Sequence, residues 1–171
     1  MEDSRYTVWK FRAAFLLIGM ALIMLRLLPL QTVPRTWAGP DVMLCLVFAW
    51  SMRRPDYVPT FLIACVILLE DFLLQRPPGL HAALVVGFSF WLKAKAHGAE
   101  DHSWNVEITY ITIATLGIFL ATRLIYSFAL LPLPALSLHF VQALSTVLFY
   151  PIMALTSAVV LNITPIKQRE P

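Results

Sequence analysis

The sequence predicts an all-α integral membrane protein, a bundle of six transmembrane helices that forms a single domain over residues 1–171. The composition is 59% hydrophobic and only 13% charged, whereas a soluble domain carries about 25% charged residues. Six apolar stretches divide the chain, and about 20 apolar residues in a helix cross the roughly 30 Å core of a bilayer. A membrane barrel would instead show alternating segments of about ten residues.

The apolar stretches define the predicted spans, which are 11–30, 36–52, 58–74, 79–92, 108–131 and 138–163. The second, third and fourth spans are short, so we expect them to stand upright in the bilayer, to thin it, or to end in kinked segments. The first span begins with basic residues, as a cleaved signal peptide does. Its length and the lack of a small-x-small cleavage site favour a permanent helix.

The joints between the spans differ in positive charge. One side of the predicted bilayer carries nine basic residues, which are Arg5, Lys10, Arg12, Arg53, Arg54, Lys93, Lys95, Lys167 and Arg169. The opposite joints carry only Arg35 and Arg76, and the last two, Arg26 and Arg123, lie inside spans. Because cytoplasmic loops are enriched in lysine and arginine, both termini are predicted to be cytoplasmic. The isoelectric point near 9.1 follows from these joints, and no basic face with interleaved aromatic residues indicates a nucleic-acid partner.

Ionisable residues interrupt the apolar spans. They are Arg26, Glu70, Asp71 and Arg123, with His81, His139 and Gln142 near span ends. A charge at the bilayer centre costs at least about 2.5 kcal/mol, so such residues usually face protein or water and pair with one another. Their predicted depths coincide in the outer leaflet, which leaves the inner leaflet apolar. We expect Arg26 or Arg123 to pair with Glu70 or Asp71, and His81 to lie nearby.

Three roles are open for this polar group. The ion pairs hold the helices together, or Arg26 extends along the lipid to the outer headgroups, or the residues line a polar pocket that opens to the outer face. Pairs that serve packing are commoner than binding sites, and this favours the structural roles.

The sequence predicts no enzyme and no cofactor, with no catalytic, cofactor-binding or metal-ligating residue. Ser89 follows Gly87 at the spacing of a nucleophile elbow, but the second glycine of that motif is missing. The group His97, Glu100, Asp101 and His102 contains metal-ligating residue types. Without cysteines or helical ligand spacing, this group is interpreted as a solvated loop.

Three pairs of small residues stand four positions apart, which are Ala83 with Gly87, Gly117 with Ala121, and Ala154 with Ala158. Small residues at this spacing let two helices approach closely. We expect packing within this chain, and docking of a partner's helix is the alternative.

The central third of the chain carries a series of short motifs. A Pro40-Asp41 start to the second span leads to the joint Arg53-Arg54-Pro55. The third span ends in Glu70-Asp71, and the turn Arg76-Pro77-Pro78-Gly79-Leu80-His81 leads into the fourth. Over about residues 37–92 this order resembles the rod shape-determining protein MreD family of bacterial inner-membrane proteins. The resemblance draws attention to Pro40, Asp41, Arg54, Pro55, Asp71, Pro77, Gly79, Leu80 and His81.

The resemblance implies a non-enzymatic scaffold of the cell-wall elongation machinery (the elongasome). Its expected partners are an MreC-like protein with one span and a coiled coil and, through it, RodA and a class B penicillin-binding protein. It also implies a fold similar to the six-helix substrate-binding subunits of energy-coupling-factor transporters.

Two functions therefore follow. The first is an inner-membrane scaffold for peptidoglycan synthesis and rod shape, and the second is a solute-binding subunit of a membrane transporter. A ligand site predicts an outward cavity lined by Asp71, His81 and Arg123, whereas a scaffold predicts that these side chains are tied to each other and sealed.

Overall fold

The computed structural model describes residues 2–28, 38–98, 103–133 and 135–161, and this part of the chain is helical and contains no strand. The helices are α1 (Glu2–Leu27), α2 (Val42–Arg53), α3 (Thr60–Leu73), α4 (Leu80–Gly98), α5 (Trp104–Phe128) and α6 (Leu136–Leu161), and a 3-10 turn, Pro55–Tyr57, joins α2 to α3. The prediction of an all-α protein with six helices is thus confirmed. Three boundaries differ by six residues or more, because α1 starts at Glu2, α2 starts at Val42 and α4 continues to Gly98.

Helix α2 is the centre of the bundle. All of its residues from Met43 to Arg53 are buried, which is possible because almost all of them are apolar. The helix packs against α6 and α4, while α3 packs on α4, α5 on α4 and α6, and α1 on α3. With 12 residues, α2 is about 18 Å long. It is therefore shorter than the bilayer core and is enclosed by protein instead of lipid.

Consecutive helices run in opposite directions between the two ends of the bundle. At one end, the last turns of α1 and α3 meet the first turns of α2 and α4, as contacts of Arg26 with Asp41 and of Asp71 with Ala82 show. At the other end, the last residue of α2 meets the first turn of α5 and the second half of α6. We call these the Arg26 end and the Arg53 end.

In the described part of the chain, three helices are long and apolar enough to cross a membrane, namely Tyr6–Leu27, Trp104–Phe128 and Leu136–Val159. Large apolar side chains cover the outer surface, with Phe128 86% exposed and Phe61 79% exposed. A soluble protein does not leave such a surface in water. The chain is therefore an all-helical membrane protein, in which α2 and α3, with 12 and 14 residues, are the shortest helices.

Helices α3 and α5 end in the same hydrogen-bonded turn with a non-glycine residue in the left-handed conformation. Gln75 has φ 54° and Leu130 has φ 53°. After α3, the Arg76 amide donates to Asp71 O and the Gln75 amide to Phe72 O, at 3.0 and 3.3 Å. This is the Schellman arrangement, whose left-handed position is usually glycine.

Glycine at either position is expected to stabilise the protein. The left-handed conformation costs other residues about 1–2 kcal/mol, and the extra freedom of glycine in the unfolded chain takes back part of that gain. We expect Gln75→Gly and Leu130→Gly each to raise the free energy of unfolding by about 0.5–1 kcal/mol, measured by reversible unfolding in mixed micelles. Gln75→Ala, which keeps the strain, is the matched control and should show no gain.

The small-residue pairs divide between inward and outward faces. A Cβ on Gly117 would lie 2.3 Å from Phe88 Cζ, and Ala154 is fully buried, so both serve packing within the chain. Ala83 and Gly87 are exposed on α4, and a Cβ on Gly87 would meet nothing within 4 Å. The packing expectation therefore holds for Gly117 and Ala154 but is wrong for Ala83 and Gly87.

Candidate functional site

Arg26 joins two carboxylates at the Arg26 end of the bundle. Its guanidinium bonds Asp41 Oδ1 at 2.7 Å through one terminal nitrogen and Glu70 Oε1 through the other. The two carboxylates are buried, whereas the Arg26 side chain keeps 22% of its surface exposed. One cation thus neutralises acids from α2 and α3 and ties α1 to both helices. Of the pairings that the sequence left open, that of Arg26 with Glu70 is confirmed. We call Arg26, Asp41 and Glu70 the Arg26 cluster.

Asp41 has a second role as the N-cap of α2. Its Oδ1 accepts a hydrogen bond from the Leu44 amide at 3.1 Å, which satisfies one of the free amides of the first turn. The Asp41 amide donates to Thr146 Oγ1 at 2.9 Å, and Thr146 donates to Gln142 O at 2.6 Å. Asp41 therefore attaches the start of α2 to α1 and α6, and the attachment to α3 runs through Arg26.

Asp71 performs the corresponding role for α4. Its Oδ2 accepts from the Ala82 amide at 3.1 Å, so a carboxylate on α3 caps the first turn of α4. The intervening turn requires a glycine, because Gly79 has φ +84°. Asp71 Oδ1 and Glu70 Oε2 are buried and find no hydrogen-bond partner among the described residues, which marks this end of the bundle as a region of unsatisfied polar groups.

A partly open cavity of about 380 Å³ lies beside the Arg26 cluster. Its lining comes from the start of α2, the turn before α4, the second half of α5 and the first turns of α6. The polar residues of the lining include Asp41, Arg76, His81, Thr115, His139 and Gln142. The volume falls in the range of small-molecule sites, about 300–1,000 Å³.

Buried polar atoms of the lining include two without a partner. Thr115 is 3% exposed, and its hydroxyl makes no hydrogen bond. The Nδ1 atom of His139 is also buried and unpartnered, and its ring packs edge-on against Phe119 with the ring centroids 4.8 Å apart. Such groups normally find a partner, so this cavity offers fixed polar groups to a bound molecule.

A second buried ionic cluster lies at the Arg53 end. Arg53 Nε donates to Glu107 Oε1 at 2.8 Å, and Arg53 also donates to Ala154 O at 3.0 Å. Tyr150 donates its hydroxyl proton to the same Glu107 oxygen, and Trp104 stacks 5.3 Å from the guanidinium. Arg53 is 5% exposed and Glu107 is 2% exposed. We call Arg53, Glu107 and Tyr150 the Arg53 cluster.

The Arg53 cluster corrects the expectation that the half of the bundle away from Arg26 is apolar. That expectation placed both residues in joints, because the second predicted span ends at residue 52 and the fifth begins at residue 108. Glu107 instead lies in the first turn of α5, and Arg53 is the last residue of α2. Because α2 is enclosed on all sides, its terminal arginine is buried as well and requires an anion.

The candidate residues that the sequence predicted lie at both ends of the bundle. Asp41, Pro77 and His81 line the cavity, while Pro40 precedes α2 and Asp71 and Gly79 shape the turn. At the Arg53 end, Pro55 is buried in the 3-10 turn and Arg54 lies 5.8 Å from the Tyr57 ring. Arg123 is half-buried in α5. The cavity lining includes His81 but neither Asp71 nor Arg123, so the predicted lining is correct only in part.

Sequence reasoning missed the two roles of Asp41 and the whole Arg53 cluster. The Asp41 signal was present, because an aspartate directly before an apolar run is typical of an N-cap. Glu107 lies three residues after the start of α5, where acidic residues are also typical. Neither signal indicates burial, which depends on the central position of α2.

Some expectations fall outside the described residues. They concern Arg35, Lys167 and Arg169, the loop residues Glu100, Asp101 and His102, and the ends of the first, second and sixth predicted spans. Among the residues that the structure describes, no group of three histidine, cysteine or acidic side chains is placed to hold a metal ion.

The fold and the site define an all-helical membrane protein with an ion-paired core and a polar cavity at one end. No family model, no curated protein and no solved structure matches the chain.

Proposed function

We propose that the protein is a non-enzymatic scaffold of the bacterial cell-wall elongation complex, needed for rod shape and lateral peptidoglycan synthesis. It resides in the inner membrane, crosses it six times and keeps both termini in the cytoplasm. The opposite directions of consecutive helices support an even number of crossings, and the excess of basic residues on one side supports the orientation.

The observation that carries this proposal is the resemblance to the MreD family over about residues 37–92. The motif residues hold the bundle together: Asp41 caps α2 and binds Arg26, and Asp71 caps α4. Pro55 is buried in the turn after α2, and Gly79 permits the turn before α4. These are roles in rigidity, and a scaffold requires a rigid body that presents helix faces to partners.

The outward face of α4 supports helix docking. Ala83 and Gly87 lie one turn apart and are exposed, and Phe90 on the same side is 66% exposed. Small residues in lipid let a second helix approach closely. We assign this face to the single span of an MreC-like coiled-coil protein, through which RodA and a class B penicillin-binding protein are recruited.

Depletion of the protein tests the proposed function. We expect rod-shaped cells to become round as the protein is diluted by growth, observed by microscopy. Re-expressing the wild type should restore rods and should co-purify the coiled-coil partner. Normal shape after depletion would contradict the scaffold function.

Complementation with Gly87→Leu tests the docking face. Leucine has a higher helix propensity than glycine by about 0.8–1 kcal/mol, and no atom lies within 4 Å of its Cβ position, so the variant should fold. We expect loss of the partner and of rod shape at normal protein levels. Ala21→Leu, on the exposed face of α1, is the matched control and should complement.

The second candidate function is that of a solute-binding transporter subunit, and the cavity of about 380 Å³ is the observation that favours it. In that case depleted cells keep their shape and acquire a nutrient requirement.

A further inference from the structure

We infer that the cavity at the Arg26 end binds the anionic headgroup of a membrane lipid. This inference goes beyond the scaffold function, which needs no ligand, and it does not depend on it.

An arginine in the lining favours an anionic ligand. Arg76 contributes its guanidinium to the lining, and His81 and His139 contribute ring nitrogens. The Asp41 carboxylate of the lining is already occupied, because Arg26 binds it at 2.7 Å and the Leu44 amide donates to it at 3.1 Å. The Arg76 guanidinium therefore lies beside a carboxylate that is bonded to other groups.

Hydrogen-bonding capacity in the lining is unused. Among the residues that the structure describes, the hydroxyl of Thr115, which is 3% exposed, and the buried Nδ1 of His139 find no partner. Within the described residues, the Arg76 guanidinium makes no hydrogen bond or ion pair. Arginine is a preferred donor to phosphate because its planar fork matches two oxygens. A phosphate group would satisfy donors that the protein itself leaves free.

The surroundings of the cavity favour an amphiphile over a soluble anion. Most of the lining surface is apolar and includes Leu44, Leu80, Ile118 and Phe119. Tyr126 and Leu138 are half-exposed where α5 ends and α6 begins. Next to them Leu130 is 93% exposed, as expected for a side chain in lipid. A ligand that enters there comes from the bilayer and leaves its acyl chains outside.

The test uses the purified full chain in a neutral detergent, titrated with short-chain phosphatidylglycerol, short-chain phosphatidylcholine or inorganic phosphate. We expect saturable binding of phosphatidylglycerol, at least about tenfold tighter than that of phosphatidylcholine, since one charge-assisted contact is worth about a factor of ten. Arg76→Gln should weaken phosphatidylglycerol binding by about tenfold. Ala143→Phe, which places a ring against the lining, should abolish it.

Two matched controls separate the site from general effects. Lys95→Gln removes one exposed positive charge at the opposite end of α4, and Ala21→Phe adds a ring on the outside of α1. Both should bind phosphatidylglycerol as the wild type does. If Ala143→Phe fails to fold, Arg76→Gln decides the matter, since the Arg76 side chain makes no hydrogen bond or ion pair in the described part of the chain.

Equal phosphatidylglycerol binding by the wild type and Arg76→Gln would overturn the inference, because the lipid would then be a nonspecific surface layer. Equal affinity for the neutral lipid would overturn it as well. Saturable binding of inorganic phosphate without any binding of the lipid would also overturn the inference, because it would show that the ligand of the cavity is a soluble anion.

Discussion

Replacing Arg26 by alanine is expected to lower the free energy of unfolding by about 3–5 kcal/mol. The substitution leaves Asp41 and Glu70 buried beside each other without their shared cation. A buried charge without a partner is costly, and here two carboxylates lose the same partner at once. Reversible unfolding of the purified protein in mixed micelles measures the effect. The loss should exceed that of any substitution of a lipid-facing residue.

Two further variants give this prediction its control. Arg26→Lys keeps the charge but cannot bond both carboxylates in the same planar geometry, so we expect an intermediate loss. Combining Arg26→Leu with Glu70→Leu should recover part of the stability lost in Arg26→Leu alone, because Glu70 then no longer lies buried without a cation, whereas Asp41 still does. If the double variant shows the sum of the two single losses, Arg26 and Glu70 are not coupled.

The second large effect is expected at Glu107. Its replacement by alanine leaves the Arg53 guanidinium, which is 5% exposed, with Ala154 O as an acceptor but no anion. We expect a loss of about 3–5 kcal/mol in the free energy of unfolding. The same equilibrium measurement applies, and a loss below about 1 kcal/mol, as for an exposed pair, would show that water reaches Arg53.

Tyr150→Phe tests a smaller change in the same cluster. It removes one hydrogen bond to a charged acceptor while leaving the ion pair in place, and such a bond contributes about 1.5–3 kcal/mol. Its loss should therefore be smaller than that of Glu107→Ala. Lys95→Ala, an exposed basic residue near the same end of the bundle, should change the stability little.

The cost of charge in lipid predicted that Arg26 or Arg123 pairs with Glu70 or Asp71. In the structure Arg26 binds Glu70, and it also binds Asp41. Asp41 was singled out only through a family resemblance, although an aspartate directly before an apolar run is typical of an N-cap. Its bond to Arg26 depends on how α1 packs against the start of α2, and a single residue type does not reveal that.

Arg53 shows where two rules conflict. A basic residue in a short joint normally indicates the cytoplasmic side, and that rule treats it as exposed. Burial was decided instead by the enclosed position of α2, of which Arg53 is the final residue. The cavity could not be predicted in detail for the same reason, since its lining is drawn from α2, α4, α5, α6 and a turn.

The enclosure of α2 also has a consequence for biogenesis. Its bonds to α6, from Asp41, Cys45, Trp50 and Arg53, join residues 101 to 107 positions apart. At about 5–20 residues per second, the ribosome needs several seconds to supply α6 after α2 has emerged. During that interval α2 must be sheltered by lipid, the insertion machinery or a chaperone, and nascent chains halted before α6 should be substrates for membrane quality-control proteases.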